Sequence, residues 1–517
     1  MNLLIALRWH GHTHDAIRPA KVLGYYSGFA LQIAASLLLT ATFSLCSQSL
    51  DVLRRESNIT LRMPPSLEPP NALPLTLEDT GAFSDLLHLT PNAGIVRYDV
   101  NVPFWSDGAP NTRWFCLPDT NATVGFSQET PWSFPTGMVW IKHFELQLTN
   151  GVPDSLRRIE TRFLVRTTEG VYGLTYRWGD SQTNAALVSE EGLDEDIDIQ
   201  DQGETHTRVW HYPSRSECLH CHSHVAGWSL GFNTPQLNRD YDYGGVTNNQ
   251  ITALNQAGYF NTNVTGIYTL RALASATNAA WSLEYRVRSY LAANCAQCHQ
   301  PGTDCLAVWD ARISTPTAAA GIINGRLVFP LNGDPDGRVI VPGSLEHSML
   351  LTRISELSSA TFHMPPLATS VLNTEAVNLL SEWITNGLAN DRSFAEWQVA
   401  FFNSTNAAAA APDADPDGDG AINQLEYLTG SNPLLPSDAW KISIRLKASA
   451  VQIIFPHLVN RAYQVQWTIN LSDANSWIAL DHPDNRPFFS STNGQTMMED
   501  VIAGSSAKFY RVRVFAP

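Results

Sequence analysis

Apolar and polar positions alternate through much of the first half of the chain, and a helical period replaces them towards the middle. Arg158 to Arg166 and Val171 to Trp178 largely alternate, the period of a half-buried strand. Phe144, Leu146 and Leu148 add a further run. Antiparallel strands are therefore predicted between Leu77 and His211. Residues 235–275 read as irregular, with a helix over Gln250 to Ala257. Beyond them, Leu283, Val287, Tyr290 and Leu291 share one helical face, and Met349, Leu350, Leu351 and Ile354 read as another helix. Val377, Leu380, Trp383 and Ile384 mark a third helix, capped by Asn373 or Thr374. Alternation returns at Tyr463, Val465 and Trp467, and again at Tyr510, Val512 and Val514. A small antiparallel β-domain is predicted there.

The β-rich region closes, and the first of the three helices ends, on the same short pattern. Cys218-Leu219-His220-Cys221-His222 and Cys295-Ala296-Gln297-Cys298-His299 are both C-x-x-C-H sequences, the attachment signature of a c-type haem. Two thiols at this spacing reach the two vinyl groups of one porphyrin, and the adjacent imidazole ligates the iron from the proximal side. The chain holds only seven cysteines and 15 histidines in 517 residues, so two matches carry weight. Zinc is the plainer alternative. Ribbon pairs, however, lie about 15–20 residues apart, much closer than Cys218 and Cys295, and zinc does not need the His that follows each second Cys. Neither motif has the strand-to-helix setting of a thioredoxin-like redox pair.

Met364-Pro365-Pro366-Leu367 forms a stiff extended loop between the second and third helices. Prolines hold the preceding thioether in a fixed direction, which suits Met364 as a weak distal iron ligand rather than a plain core residue. Helix, C-x-x-C-H, helix, Met-Pro and terminal helix: this order resembles a class I cytochrome c over about residues 280–390. The resemblance implies an all-α domain there, with first and last helices crossing and His299 and Met364 ligating the iron. Trp105-Ser106-Asp107-Gly108-Ala109, Arg158 to Phe163, Gly173 to Trp178 and Trp210 to Arg215 resemble a family of exported bacterial di-haem cytochromes. Members are often encoded beside, or fused to, propeller-type sugar dehydrogenases. That wider resemblance spans about residues 78–390 and implies electron transfer with a redox protein partner. For the first haem, His222 is the proximal ligand. His143 and Met138 are the candidates for its far side; they have opposite strand parity, so at most one faces a given haem. An open or water-ligated iron is the alternative.

Asp415 to Glu426 matches the twelve-residue calcium loop of an EF-hand. Oxygen ligands fall at Asp415, Asp417, Asp419, the Ala421 carbonyl, Asn423 and Glu426, with Gly420 at the sharp turn. One Ca2+ is expected, in a rigidified linker rather than a sensor.

Composition adds bounds. Apolar residues make up 44 % and charged residues 16 %, with 33 basic against 49 acidic, a net charge of −16. Nucleic-acid binding, which needs clustered Lys and Arg, is excluded as a main role. The run from Glu190 to Asp201 reads as a solvated loop or a docking patch. The dense tryptophans from Trp105 to Trp210 read as sandwich core or, with less support, as a carbohydrate platform. Arg8, Arg18 and Lys21 precede an apolar stretch from Phe29 to about Leu45, a secretory signal or an uncleaved anchor. Export to a bacterial periplasm or cell envelope follows, and an oxidising compartment would permit a Cys116–Cys305 disulfide.

The expected architecture is thus multidomain α+β. Residues 1–47 are signal or anchor, 48–76 a linker, 77–275 a β-rich domain with the first haem motif and 276–392 an all-α cytochrome c domain with the second. Residues 393–437 are the calcium-loop linker and 438–517 the C-terminal β-domain. Two covalent haem c groups and one Ca2+ are the expected cofactors. The expected function is electron transfer from a dehydrogenase to a terminal acceptor, making the chain a carrier more than a stand-alone enzyme. The alternatives are a di-haem peroxidase or oxidase with one open iron, and a haem-containing surface binding or scaffold protein.

Overall fold

The alternating segments pair in sequence order, as short connections between antiparallel strands dictate. Six strands form one antiparallel sheet: β1 (Ile95–Tyr98), β2 (Asn111–Cys116), β3 (Val139–Gln147), β4 (Leu156–Arg166), β5 (Val171–Arg177) and β6 (Ala186–Leu187). The computed structural model describes residues 2–6, 50–57, 59–68, 72–329, 333–357, 363–367, 369–447, 449–501 and 508–517. Cys46 and most of the expected signal or anchor lie outside the described residues. Asn2–Ala6 form a strand whose backbone pairs antiparallel with residues 509–513. No helix among the described residues is long and apolar enough to cross a membrane.

Both faces of the sheet are covered. Trp114, Ile141, Phe163 and Leu174 face one core, where Leu77 and Phe83 join them. Phe115, Trp140 and Leu164 face the other, against Trp132, Phe232 and Leu254. The tryptophans are thus core: Trp114, Trp132, Trp140, Trp178 and Trp210 are all buried. The Pro-rich segment expected as a linker instead lies against this sheet. Tyr172 and Tyr176 donate their hydroxyls to Pro64 O and Pro74 O (2.6 and 3.0 Å).

A hairpin of β7 (Leu193–Asp201) and β8 (Glu204–Tyr212) follows. Much of the acidic run is therefore a strand, not a loop. Its Ile197 and Ile199 point into a core with Phe144 and Trp210, while Asp194, Asp196 and Asp198 are exposed. Helix α1 (Arg215–Cys221) starts directly after β8 on a capping box between Ser214 and Glu217, and lies against β5. Helix α2 (Gln250–Gln256) packs Ile251 and Leu254 under the sheet.

The expectation of an all-α cytochrome c domain over 276–392 is overturned. Helices α3 (Leu283–Asn294), α4 (Met349–Ser355) and α5 (Thr374–Glu382, extended by a π-helical turn over Trp383–Leu388) share a core of Val287, Leu291, Leu350, Leu380 and Trp383. Between His299 and Met349, however, the chain has no α-helix among its described residues, and short 3-10 turns such as Thr317–Ala319 stand in its place. Isolated bridges such as Ile323–Ile340 and Arg338–Ser348 join its passes instead. The cause is local: Pro301, Pro316, Pro335 and Pro342 interrupt helical hydrogen bonding, and Gly302, Gly321 and Gly343 take left-handed backbone.

Helices α6 (Phe394–Phe402) and α7 (Asn423–Thr429) lead into two small antiparallel sheets whose inner faces, with Val451, Phe455, Val465 and Val512, enclose one core. This unit is seated on the start of α3. Tyr285 stacks on Phe489 at 4.5 Å, and Ser282 N donates to Phe489 O at 2.7 Å.

Candidate metal centres

The two C-x-x-C-H motifs, far apart in sequence, are neighbours in space. The mutual influence of the Cys221 and Cys298 thiols drives the first up and brings the second down to about 7. Cys298 Sγ also lies 4.0 Å from His220 O.

The first motif sits at the C-terminal end of α1. That helix approaches the sheet closely because β5 carries glycine: a Cβ on Gly173 would meet Cys218 Sγ at 2.6 Å. His222 donates Nδ1–H to Trp228 O at 2.6 Å. Trp228 presents that carbonyl from left-handed backbone (φ 67°), behind Gly227, where a Cβ would strike Pro131 at 2.3 Å. Nε2 of His222 has no hydrogen-bond partner among the described residues. An imidazole anchored through Nδ1 to a carbonyl and free at Nε2 is oriented as metal-ligating histidines are. Burial, first of all, lowers its pKa to about 4, keeping the ring neutral. Cys218, Cys221 and His222 line a cavity of about 210 Å³ bounded by Val100, Val102, Trp140 and Leu230, with Arg113, Lys142 and Arg162 on the sheet side.

The second motif follows α3. His299 stacks on Trp309 at 4.2 Å, its Nδ1 is 3.6 Å from Cys305 Sγ, and burial lowers its pKa to about 4. Met364 is half-buried and donates its N–H to Arg353 O at 2.9 Å. The charge of Arg353 adds to the lowering of His299. The permitted disulfide is absent: Cys116 is a free thiol buried in the sheet core, and Cys305 is free beside His299.

An imidazole held through Nδ1 beside two thiols is the arrangement that covalent haem attachment would use. Among the described residues, the only three acidic, His or Cys side chains with ligand atoms converging to within 4.8 Å are Asp415, Asp417 and Asp419. No family model matches the chain, and no curated protein or solved structure matches it. The residues alone carry the reading.

His143 is corrected as a distal ligand. It lies on the opposite face of β3 from the cavity, with Nδ1 2.8 Å from Thr161 Oγ1 and its ring against Trp178. Met138, the other candidate, is on the cavity side of the sheet but fully enclosed in its core.

In the acidic loop, Asp415 accepts from Gly418 N and Gly420 N, and Asp417 and Asp419 accept from Asp419 N and Ala421 N. Asn423 is buried and donates to Ala409 O and Ala411 O, leaving Oδ1 unpartnered. Both oxygens of the fully buried Glu426 are unpartnered, as are Asp417 Oδ2 and Asp419 Oδ2. Burial first, then the three aspartates, raises Glu426 to about 7. Buried, mutually repelling carboxylate oxygens without donors fit a hard cation such as Ca2+.

Asp107 and Trp105 were visible only through family resemblance. Asp107 accepts from Ser370 N, Ser370 Oγ and Val371 N (3.0, 2.6 and 3.2 Å). Trp105 N and Nε1 donate to Asn294 Oδ1 and Val371 O (2.7 and 2.9 Å). They tie the β-rich half to the residue before Cys295 and to the loop after Met364. His363 was not read from sequence at all: it is buried, with Nδ1 on Glu356 O and Nε2 unpartnered.

Proposed function

We propose that the chain is a di-haem c-type electron carrier. It would hold one haem on Cys218, Cys221 and His222 and a second on Cys295, Cys298, His299 and Met364, and work between a dehydrogenase and a terminal acceptor outside the cytoplasm. The observation that supports this most is the approach of the two motifs, with Cys298 Sγ 4.0 Å from His220 O. Attachment points this close bring two redox groups together, and tunnelling rates fall steeply with distance. Haem supplies the one-electron chemistry. The chain's own residues anchor it, orient His222 through Trp228 O, and exclude water with Val100, Val102, Trp140 and Leu230. The loop at Asp415–Glu426 is proposed to bind Ca2+ and brace the C-terminal unit.

The experiment is a reduced-minus-oxidised spectrum of the purified chain, repeated with carbon monoxide. Two reducible haems, neither shifted by carbon monoxide, are expected of a carrier. One shifted haem with peroxide turnover from a reduced donor would instead make the protein a di-haem peroxidase. The cavity that faces His222 without a second histidine or methionine on offer is what keeps that reading alive.

A further inference from the structure

Resting on the haem reading above, we infer that Lys142 supplies the sixth ligand of the iron held by His222. The register of the sheet selects it. Arg113, Lys142, Arg162 and Thr175 pair in one row across β2 to β5, and all four line the cavity that Cys218, Cys221 and His222 share. Alternation along β3 puts Trp140, Lys142 and Phe144 on that side and His143 on the other.

The competing donors along this cavity are engaged elsewhere. Both ring nitrogens of His211 are taken, by Asp194 (2.6 Å) and Glu217 (3.0 Å). Glu217 also closes the capping box of α1, and Asp107 holds the Ser370–Val371 loop. Burial lifts the Tyr98 phenol to about 12, so it stays protonated. Lys142 Nζ has one weak hydrogen bond, to Ser106 Oγ at 3.4 Å, lies 4.4 Å from the centre of the Phe144 ring, and makes no ion pair among the described residues. An ammonium so enclosed is costly, and a neutral amine is the form that burial favours. Burial, then the charges of Arg113 and Arg162, depresses Lys142 well below its ordinary range, against the opposing pull of Glu160. A neutral primary amine is a strong-field iron donor, and this lysine needs to lose one proton to become one.

Lys142→Arg and Lys142→Met are the deciding variants of the full-length, haem-loaded protein, read by electron paramagnetic resonance of the ferric state. Arginine keeps the charge but stays protonated and cannot ligate; methionine removes the charge but offers sulfur. Wild type should show two low-spin haems. Lys142→Arg should convert one of the two to high spin and open it to carbon monoxide, while Lys142→Met should keep both low-spin with a raised potential for one. Two low-spin haems in Lys142→Arg would overturn the inference, assigning Lys142 a charge role such as pairing a haem propionate. One high-spin haem already in the wild type would overturn it as well, yet leave the di-haem reading standing. A wild-type protein with fewer than two covalent haems, counted first as the pyridine haemochrome, would sink both.

Discussion

His222 and Met364 illustrate how single residues are aimed by their backbone. A carbonyl delivered from left-handed Trp228 fixes the His222 ring, and the N–H of Met364 is tied to the segment carrying Arg353. If the Met364 thioether ligates the second iron, Met364→Ala should lower one of two midpoint potentials by a sizeable part of the ~0.8 V over which axial ligands act. Redox titration checks this. An unchanged potential would move the role to His363, whose buried Nε2 has no partner. At this scale the two C-x-x-C-H motifs and the Met364-Pro365 step suggest their chemistry because it is written in adjacent residues. The far side of the first motif was not. Strand parity says which residues share a face, but not which face meets a partner that folds on later; His143 and Lys142 differ by one position and by that choice alone.

Among the elements, the α1 helix is held by an electrostatic bridge as well as by its cap. Burial pulls the His211 pKa down, but Asp194 and Glu217 outweigh it and raise it above 6.5. The charged ring therefore stabilises the fold below about pH 6.5, and that contribution fades as pH rises through the raised value. His211→Gln should cost about 1 kcal/mol in urea denaturation near pH 5.5 and clearly less near pH 9; an equal loss at both would refute the bridge. The calcium loop gives a second test. Chelator should lower the melting temperature, and Ca2+ at about a hundred times its Kd should restore about 2.7 kcal/mol. In Glu426→Gln that response should largely vanish. The acidic loop stood out because its oxygen-bearing residues are contiguous, and helices α3 to α5 were readable from their spacing. The all-α domain failed because a familiar order of elements outweighed the prolines and left-handed glycines between His299 and Met349.

For the whole molecule, the decisive contacts cross between halves. Asp107 reaches across more than 260 residues to Ser370 and Val371, and Cys298 Sγ approaches His220 O. Sequence periodicity cannot see such pairings, which is why the two C-x-x-C-H motifs read as separate domains. Asp107→Ala should leave the Ser370 and Val371 N–H groups without acceptors, cost about 1–3 kcal/mol, and loosen the loop after Met364 enough for reduced protein to bind carbon monoxide. Unchanged stability together with unchanged carbon monoxide spectra would show that this clasp is incidental. The di-haem proposal turns on what the four motif cysteines carry. Intact-mass spectrometry of the chain, produced in a host that attaches haem c and denatured before injection, measures this most directly. A mass gain of two haems that survives denaturation is expected. A chain without covalent haem, or one whose cysteines retain stoichiometric zinc under native conditions, would contradict it.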